Sequence, residues 1–198
     1  MTREIDRGEI RRLVIEALSE AAGAAPSRGA AAAPAARAPH AASAPPAKTI
    51  AVGADHGGYR LKETLRRFLE EELAWRVIDH GTHSEEAVDY PDLALAVARS
   101  VASGEARFGL LIDGAGIGST MAANKVRGVR AALCHDERTA RNAREHNDAN
   151  VLALGAGSVQ RGLARTIARI FVETPFAGGR HERRVAKIMA IEERGTTA

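Results

Sequence analysis

Residues 108–125 read FGLLIDGAGIGSTMAANK, and this stretch decides the fold. Phe108 to Ile112 carry no polar side chain, the mark of a short strand buried on both faces. Asp113 ends the run. Gly114, Gly116 and Gly118 then alternate with small or apolar residues and open a helix through Lys125. A fully buried strand that turns through glycines into a helix belongs to a βαβ unit, whose strand needs parallel neighbours.

The neighbours are found by working outward. Upstream, Thr49–Gly53 (TIAVG) reads as a buried strand. A helix follows over Gly58–Leu73, with Leu61, Leu65, Phe68 and Leu69 on one face. Trp75–Asp79 is a strand and Leu93–Ala102 a helix. Downstream, Val129–Leu133 and Asn150–Leu154 are strands, with a helix over Arg138–His146 between them. Two helices near Leu163–Glu173 and His181–Glu193 close the chain. Five strands alternating with helices predict an α/β fold, a Rossmann-like three-layer sandwich with a five-stranded parallel sheet. Ligands of such sheets bind beyond the carboxyl ends of the strands, which selects the loops after the first, third and fourth strands.

Ahead of this domain (49–194) stand two segments of different character. Residues 22–48 are an Ala/Pro tract. Between Ala21 and Ala47, 15 of 27 residues are Ala and five are Pro, too small and too broken to build a core, so a disordered linker is expected. Within residues 1–21, Ile10, Leu13, Val14, Ala17, Leu18 and Ala21 fall on one stripe of an amphipathic helix. A helix this short is marginal alone and wants a partner surface.

Composition narrows the function. The 198 residues suit one domain with an appendage. One Cys excludes a disulfide framework and a Cys-based structural zinc site. A net charge of +3 with seven Phe, Trp or Tyr residues gives no nucleic-acid signature. No apolar run approaches the roughly 18 residues of a membrane span. The N-terminus lacks an apolar signal core, so the reading is cytoplasmic.

Several loops offer chemistry, each beside a plainer reading. Asp55-His56-Gly57-Gly58 puts a carboxylate and an imidazole at a strand tip, or simply a helix cap and a solvated His. Gly114, Gly116 and Gly118 expose backbone N–H groups suited to a phosphate or a developing oxyanion, or form a tight turn. Their spacing is not GxGxxG, although Asp136 mimics the acidic residue of a dinucleotide fingerprint. Asp113 is a general base or a helix-capping residue. His146, beside Asn147 at a helix C-terminus, is a proton-transfer group or a dipole partner. Arg180 and Arg184 are i, i+4 neighbours at a helix start, a phosphate contact or a surface salt-bridge cluster. Cys134 reads as a packed thiol. His80 and His83 imply no metal site.

Taken in order, these loops are specific. Gly-Ala-Asp55-His56-Gly-Gly-Tyr, Asp89-Tyr90-Pro91, Gly114-x-Gly116-x-Gly118, Ala122-Ala123-Asn124-Lys125, Gly128-Val129-Arg130-Ala131, Glu145-His146-Asn147, Asn150-Val151 and Arg180-His181-x-x-Arg184-Val185 resemble the ribose-5-phosphate isomerase type B family. That family includes the paired subunits of galactose-6-phosphate isomerase. The resemblance implies a sugar-phosphate aldose–ketose isomerase, without metal or nucleotide cofactor, acting as a homodimer or homotetramer with shared sites. Ribose 5-phosphate is the implied substrate and a cis-enediolate the implied intermediate. Asp55 and His56 would contact the sugar and phosphate end, and Tyr90 would line the pocket. His146 would help open the furanose ring, and Asn147 would hold a hydroxyl or the enediolate. Arg180 and Arg184 would bind phosphate from the partner subunit. The Gly114–Gly118 amides would stabilise the enediolate.

The chain departs from the family at four positions. Asp113 stands where one branch has a Cys base, and Ser119 where another has Glu. Ala115 replaces a Thr or Ser, and Gly157 replaces an Arg of the loop after the fifth strand. Asp113 is then the substitute base. The rival is a non-catalytic or specialised subunit, like the Cys-lacking subunit of galactose-6-phosphate isomerase. The stretch Glu9–Glu20 in turn resembles the encapsulation peptides of bacterial microcompartment cargo. That implies shell or cargo partners for residues 3–20 and a place inside a microcompartment.

Overall fold

The computed structural model describes residues 48–194, with side chains as far as Glu192. The expected N-terminal helix and linker lie outside the described residues.

Five strands form one parallel sheet: β1 (Thr49–Ala54), β2 (Arg76–Asp79), β3 (Phe108–Asp113), β4 (Ala131–Leu133) and β5 (Val151–Gly155). Their order is β2-β1-β3-β5-β4. The chain therefore leaves β3, skips a place to lay down β4 at the edge, and returns to fill the gap with β5. The register sets Ala54 beside Ile112 and Asp113 beside Gly155, so β1, β3 and β5 end level with one another.

Among the described residues, six α-helices complete the layers: α1 (Tyr59–Arg67), α2 (Tyr90–Ala102), α3 (Ile117–Ala123), α4 (Glu137–Asn147), α5 (Arg161–Glu173) and α6 (Glu182–Arg194). Side chains of alternating strand residues go to opposite faces. Ile50, Val52, Leu110, Ile112, Leu152 and Leu154 pack with Leu61 and Leu65 of α1, Ala140 of α4 and Phe171 of α5. Ala51, Leu111, Val151 and Ala153 pack with Val97 and Ala98 of α2 and Ala123 of α3. The expected three-layer α/β sandwich is therefore present.

Several boundaries differ from expectation, each for a local reason. The helix begun at Tyr59 changes to wider π-type turns over Phe68–Glu72, closed by Leu73 N–H donating to Phe68 O. Helix α2 starts at Tyr90 rather than Leu93, because Pro91 fits a first helical turn. Strand β4 is only three residues long. Ahead of it, Arg130 N–H donates to the Asn150 side chain instead of a ladder partner. Asp136, the residue that mimicked a dinucleotide fingerprint, caps α4. Its carboxylate accepts from Thr139 N–H at 2.6 Å while the Thr139 hydroxyl takes Asp136 N–H at 3.2 Å.

Candidate active site

At the carboxyl edge, the loops after β1, β3 and β5 are stitched together by backbone hydrogen bonds. Asp55 N–H donates to Ile112 O, Ala156 N–H to Asp113 O and Gly157 N–H to Gly114 O, at 2.8–3.2 Å. Gly58 permits this approach. A Cβ there would lie 2.1 Å from the carbonyl oxygen of Ile112. Asp55 folds over the turn, its Oδ1 accepting from Gly58 N–H at 2.9 Å. His56 is exposed, and its Nδ1 accepts from Val88 N–H at 3.4 Å, which leaves the ring proton on Nε2. Tyr90, at the head of α2, lies against Gly118. A Cβ on that glycine would be 2.5 Å from the Tyr90 ring.

Asp113 is 5% exposed and sits at the centre of this edge. Its Oδ1 accepts from the amides of Ala115 (2.8 Å) and Gly116, and its Oδ2 from Ser119 N–H (3.0 Å). Burial pushes its carboxyl up. The hydrogen bonds from the Ser119 hydroxyl and amide, from Gly116 and from Ala115 outweigh that and hold it below the usual carboxylate value. So Asp113 is an ionised carboxylate whose lone pairs are spoken for. Two of the amides expected to face a ligand, those of Gly116 and Ala115, serve Asp113 instead. Gly116 is also the left-handed residue (φ 77°) that lets the loop turn into α3.

The second group of candidates lies at the opposite edge. Helix α4 leaves the carboxyl end of β4 and returns toward the amino end of β5. Over 11 residues it covers roughly 16 Å. His146 and Asn147, at its C-terminus, are therefore at the end of the sheet opposite Asp113. The segment after α5 comes down beside them, with Ala177 N–H donating to Glu145 O at 3.0 Å. It brings His181, whose ring stacks on His146 with centroids 4.2 Å apart and planes 3° from parallel. Arg180 Nε lies 3.4 Å from His181 Nε2. His181 is 7% exposed, and its Nδ1 has no hydrogen-bond partner among the described residues. Burial pushes the His181 ring down, and the charges of His146, Arg180 and Arg184 add to this. The structure thus gathers His146, Asn147 and Arg180 at one edge, with Arg184 contributing charge there. Asp55, His56, Tyr90 and Asp113 with Gly114, Gly116 and Gly118 gather at the other.

Sequence reasoning passed over the frame of this second cluster. Asp148, left-handed at φ 44°, caps α4 between two guanidinium groups: Arg144 Nη1 at 2.8 Å and Arg130 Nη2 at 3.0 Å. Arg144 is itself buried over the Phe108 ring, and burial pushes its guanidinium down from its ordinary value. Along the β4 edge and α6 runs a groove of about 760 Å³, bordered by Leu133, Cys134, Asn142, Asn147, Ile188 and Ile191. Among the described residues no group of three or more His, Cys, Asp or Glu side chains is placed to hold a metal ion. No helix among them is long and apolar enough to cross a membrane.

Acid–base groups and arginines set at the strand ends of a parallel sandwich define the class, an α/β enzyme for proton transfer. More narrowly, the chain belongs to the ribose/galactose isomerase family, whose model matches residues 50–188. It is 46% identical over 147 residues to ribose-5-phosphate isomerase B of Escherichia coli, covering 74% of this chain and 98% of that protein. It is 40% identical over 136 residues to galactose-6-phosphate isomerase subunit LacA 2 of Streptococcus pyogenes, covering 69% and 94%. Its fold matches the solved ribose-5-phosphate isomerase B of Clostridium thermocellum with a TM-score of 0.72 at 50% identity, covering 74% and 98%. As a member of this family the chain is an aldose–ketose isomerase of sugar phosphates.

Proposed function

We propose that the chain interconverts ribose 5-phosphate and ribulose 5-phosphate, and that each site is built from two copies of the chain. One observation carries the second part. The candidate residues divide between opposite ends of one sheet, with α4, roughly 16 Å long, running from one end toward the other, whereas a pentose phosphate must touch both groups at once. A second copy that sets its His146 edge against this chain's Asp113 edge closes the site. The edge strand β4 and the exposed Leu133, Ile188 and Ile191 supply an apolar surface for that contact.

The chemistry follows from the parts. His146 assists opening of the furanose ring to the free aldehyde. Asp113 takes the proton from C2, the C–H electron pair forms the C1=C2 bond, and the carbonyl oxygen becomes anionic. The amides of Gly114 and Gly118, which do not bond Asp113, would stabilise that oxygen. After a proton passes between the two enediolate oxygens, Asp113 returns its own proton to C1 and leaves the ketose. His56 and the partner copy's Arg180 and Arg184 hold the phosphate, each through charge or N–H donation. Tyr90 walls the site against Gly118.

A second reading is favoured by the filled coordination of Asp113. With its lone pairs taken by the loop, the carboxylate anchors the glycine turn, and this chain acts as a subunit beside a partner with its own base. Substitution separates the two. If Asp113 is the base, Asp113→Ala loses on the order of 10²- to 10⁴-fold in kcat, the span of a general base. Asp113→Cys, with a thiolate at the same place, retains turnover. Purified wild-type chain inert toward ribose 5-phosphate and other pentose and hexose phosphates overturns the first reading and supports the second. An Asp113→Ala variant as active as wild type overturns Asp113 as the base and moves that role to another residue of this chain.

A further inference from the structure

We propose that Asn142 is a positioning residue that fixes the ring proton of His146 on Nε2 and orients the Asn147 amide. The inference rests on the reading above, in which His146 and Asn147 meet the substrate.

Asn147 Nδ2 lies 3.3 Å from the backbone carbonyl oxygen of Asn142. A carbonyl only accepts, so the Asn147 atom facing it is the NH₂ group. The same NH₂ group lies 3.2 Å from the Asn142 side chain, whose facing atom must then be the acceptor Oδ1. That leaves Asn142 Nδ2, a donor, directed at His146 Nδ1 across 2.8 Å. An imidazole nitrogen that accepts carries no proton, so the neutral ring bears its proton on Nε2. Each assignment forces the next, starting from a backbone group whose role is fixed. The spacing comes from the helix: Asn142 and His146 are one turn apart on α4.

Two consequences reach the substrate. His146 presents a donor, Nε2–H, to an oxygen of the sugar ring. Asn147, with its NH₂ group turned to Asn142, offers its carbonyl oxygen, which accepts from a substrate hydroxyl and cannot donate to an oxyanion. The other groups near His146 do not set this choice. His181 stacks face to face, and a stacked ring makes no in-plane hydrogen bond to Nδ1. Arg180 approaches His181 Nε2, not His146.

The test reads the proton directly. ¹⁵N spectra of the full chain, taken at about pH 8.5 so that ordinary imidazoles are neutral, are assigned to His146 by comparison with His146→Gln. The wild type is expected to show a protonated Nε2 and a bare Nδ1. Asn142→Leu keeps an exposed helix former and mixes the two tautomers. Asn142→Asp offers Nδ1 an acceptor and moves the proton there. Asn142→Leu should lower kcat on ribose 5-phosphate on the order of tenfold, a fraction of the roughly 10²–10⁴ of a positioned acid–base group, with KM little changed. Arg141→Gln, the neighbouring exposed position, should change neither. A wild-type ring protonated on Nδ1, or an Asn142→Leu spectrum identical to wild type, overturns the proposal. Full turnover in His146→Ala would instead overturn the ring-opening role, and the tautomer spectra would still decide what Asn142 does to the ring.

Discussion

At the scale of single residues, what each group can do is set by which of its valences are already used. Cys134 shows this most simply. It follows β4 and borders the large groove, yet it is 1% exposed. Burial, with a smaller push from the Asp136 carboxylate and some relief from Thr139, raises its thiol from 9.0 to about 11. It is therefore a packed thiol. The folded state holds the proton more tightly than the unfolded chain does, so this site's stability contribution is complete below pH 9.0. It is lost as pH rises toward about 11. Chemical denaturation of wild type across that window should show a decline on the order of 2–3 kcal/mol beyond that of Cys134→Ala. Equal slopes in the two proteins would show that burial does not act on the thiol. Asp113 is the opposite case, a buried group kept charged by the amides around it.

At the scale of elements, the helices are fastened to the sheet as much by polar pins as by apolar faces. Lys62 of α1 has no exposed side-chain surface. Its ammonium lies 2.7 Å from Asp79 at the end of β2 and 3.2 Å from Glu63. Asp79 also accepts from Gly81 N–H at 2.9 Å, so the pair fixes the start of the loop that leads to Tyr90. Asp79→Ala leaves the buried Lys62 ammonium only Glu63 and should cost up to about 3–5 kcal/mol in urea unfolding, whereas replacing both charges, Lys62→Met with Asp79→Asn, should be near neutral. A loss in the double variant as large as that of Asp79→Ala would mean that the pair itself stabilises the fold.

Much of this level was legible in the sequence, because buried parallel strands and amphipathic helices announce themselves by pattern. Strands β1, β3 and β5 lie within a residue of their expected places. The short β4 was overdrawn because Val129 and Arg130 look like strand residues while Arg130 bonds to Asn150. The candidate site was legible as a set of residues. Its division between two edges depends on where each helix ends relative to the sheet. The Asn142–His146–Asn147 chain depends on atom-level contacts that no pattern of residue types encodes.

At the scale of the molecule, the sheet ends in two edge strands, β2 and β4. Strand β4 is a three-residue edge, and beside it stand Leu133 (37% exposed), Ile188 (44%) and Ile191 (65%). Ile191→Glu places a charge in the proposed contact between copies. It should shift the protein toward monomer in sedimentation velocity and lower activity in proportion, while leaving the circular dichroism spectrum unchanged. A variant that stays associated and fully active would place the contact elsewhere.

The order of the strands has a bearing on how the chain is made. Strand β4 pairs with β5 alone, and β5 is synthesised later. As translation proceeds, β2, β1 and β3 can assemble with α1 and α2 into a partial sheet that already carries the Asp55 and Asp113 loops. Strand β4 and α4 must wait beside it without a neighbour. Only when Val151–Gly155 emerge can β5 insert next to β3 and give β4 its place. The two halves of the site are thus born in sequence on the ribosome, the carboxylate edge first and the histidine edge last.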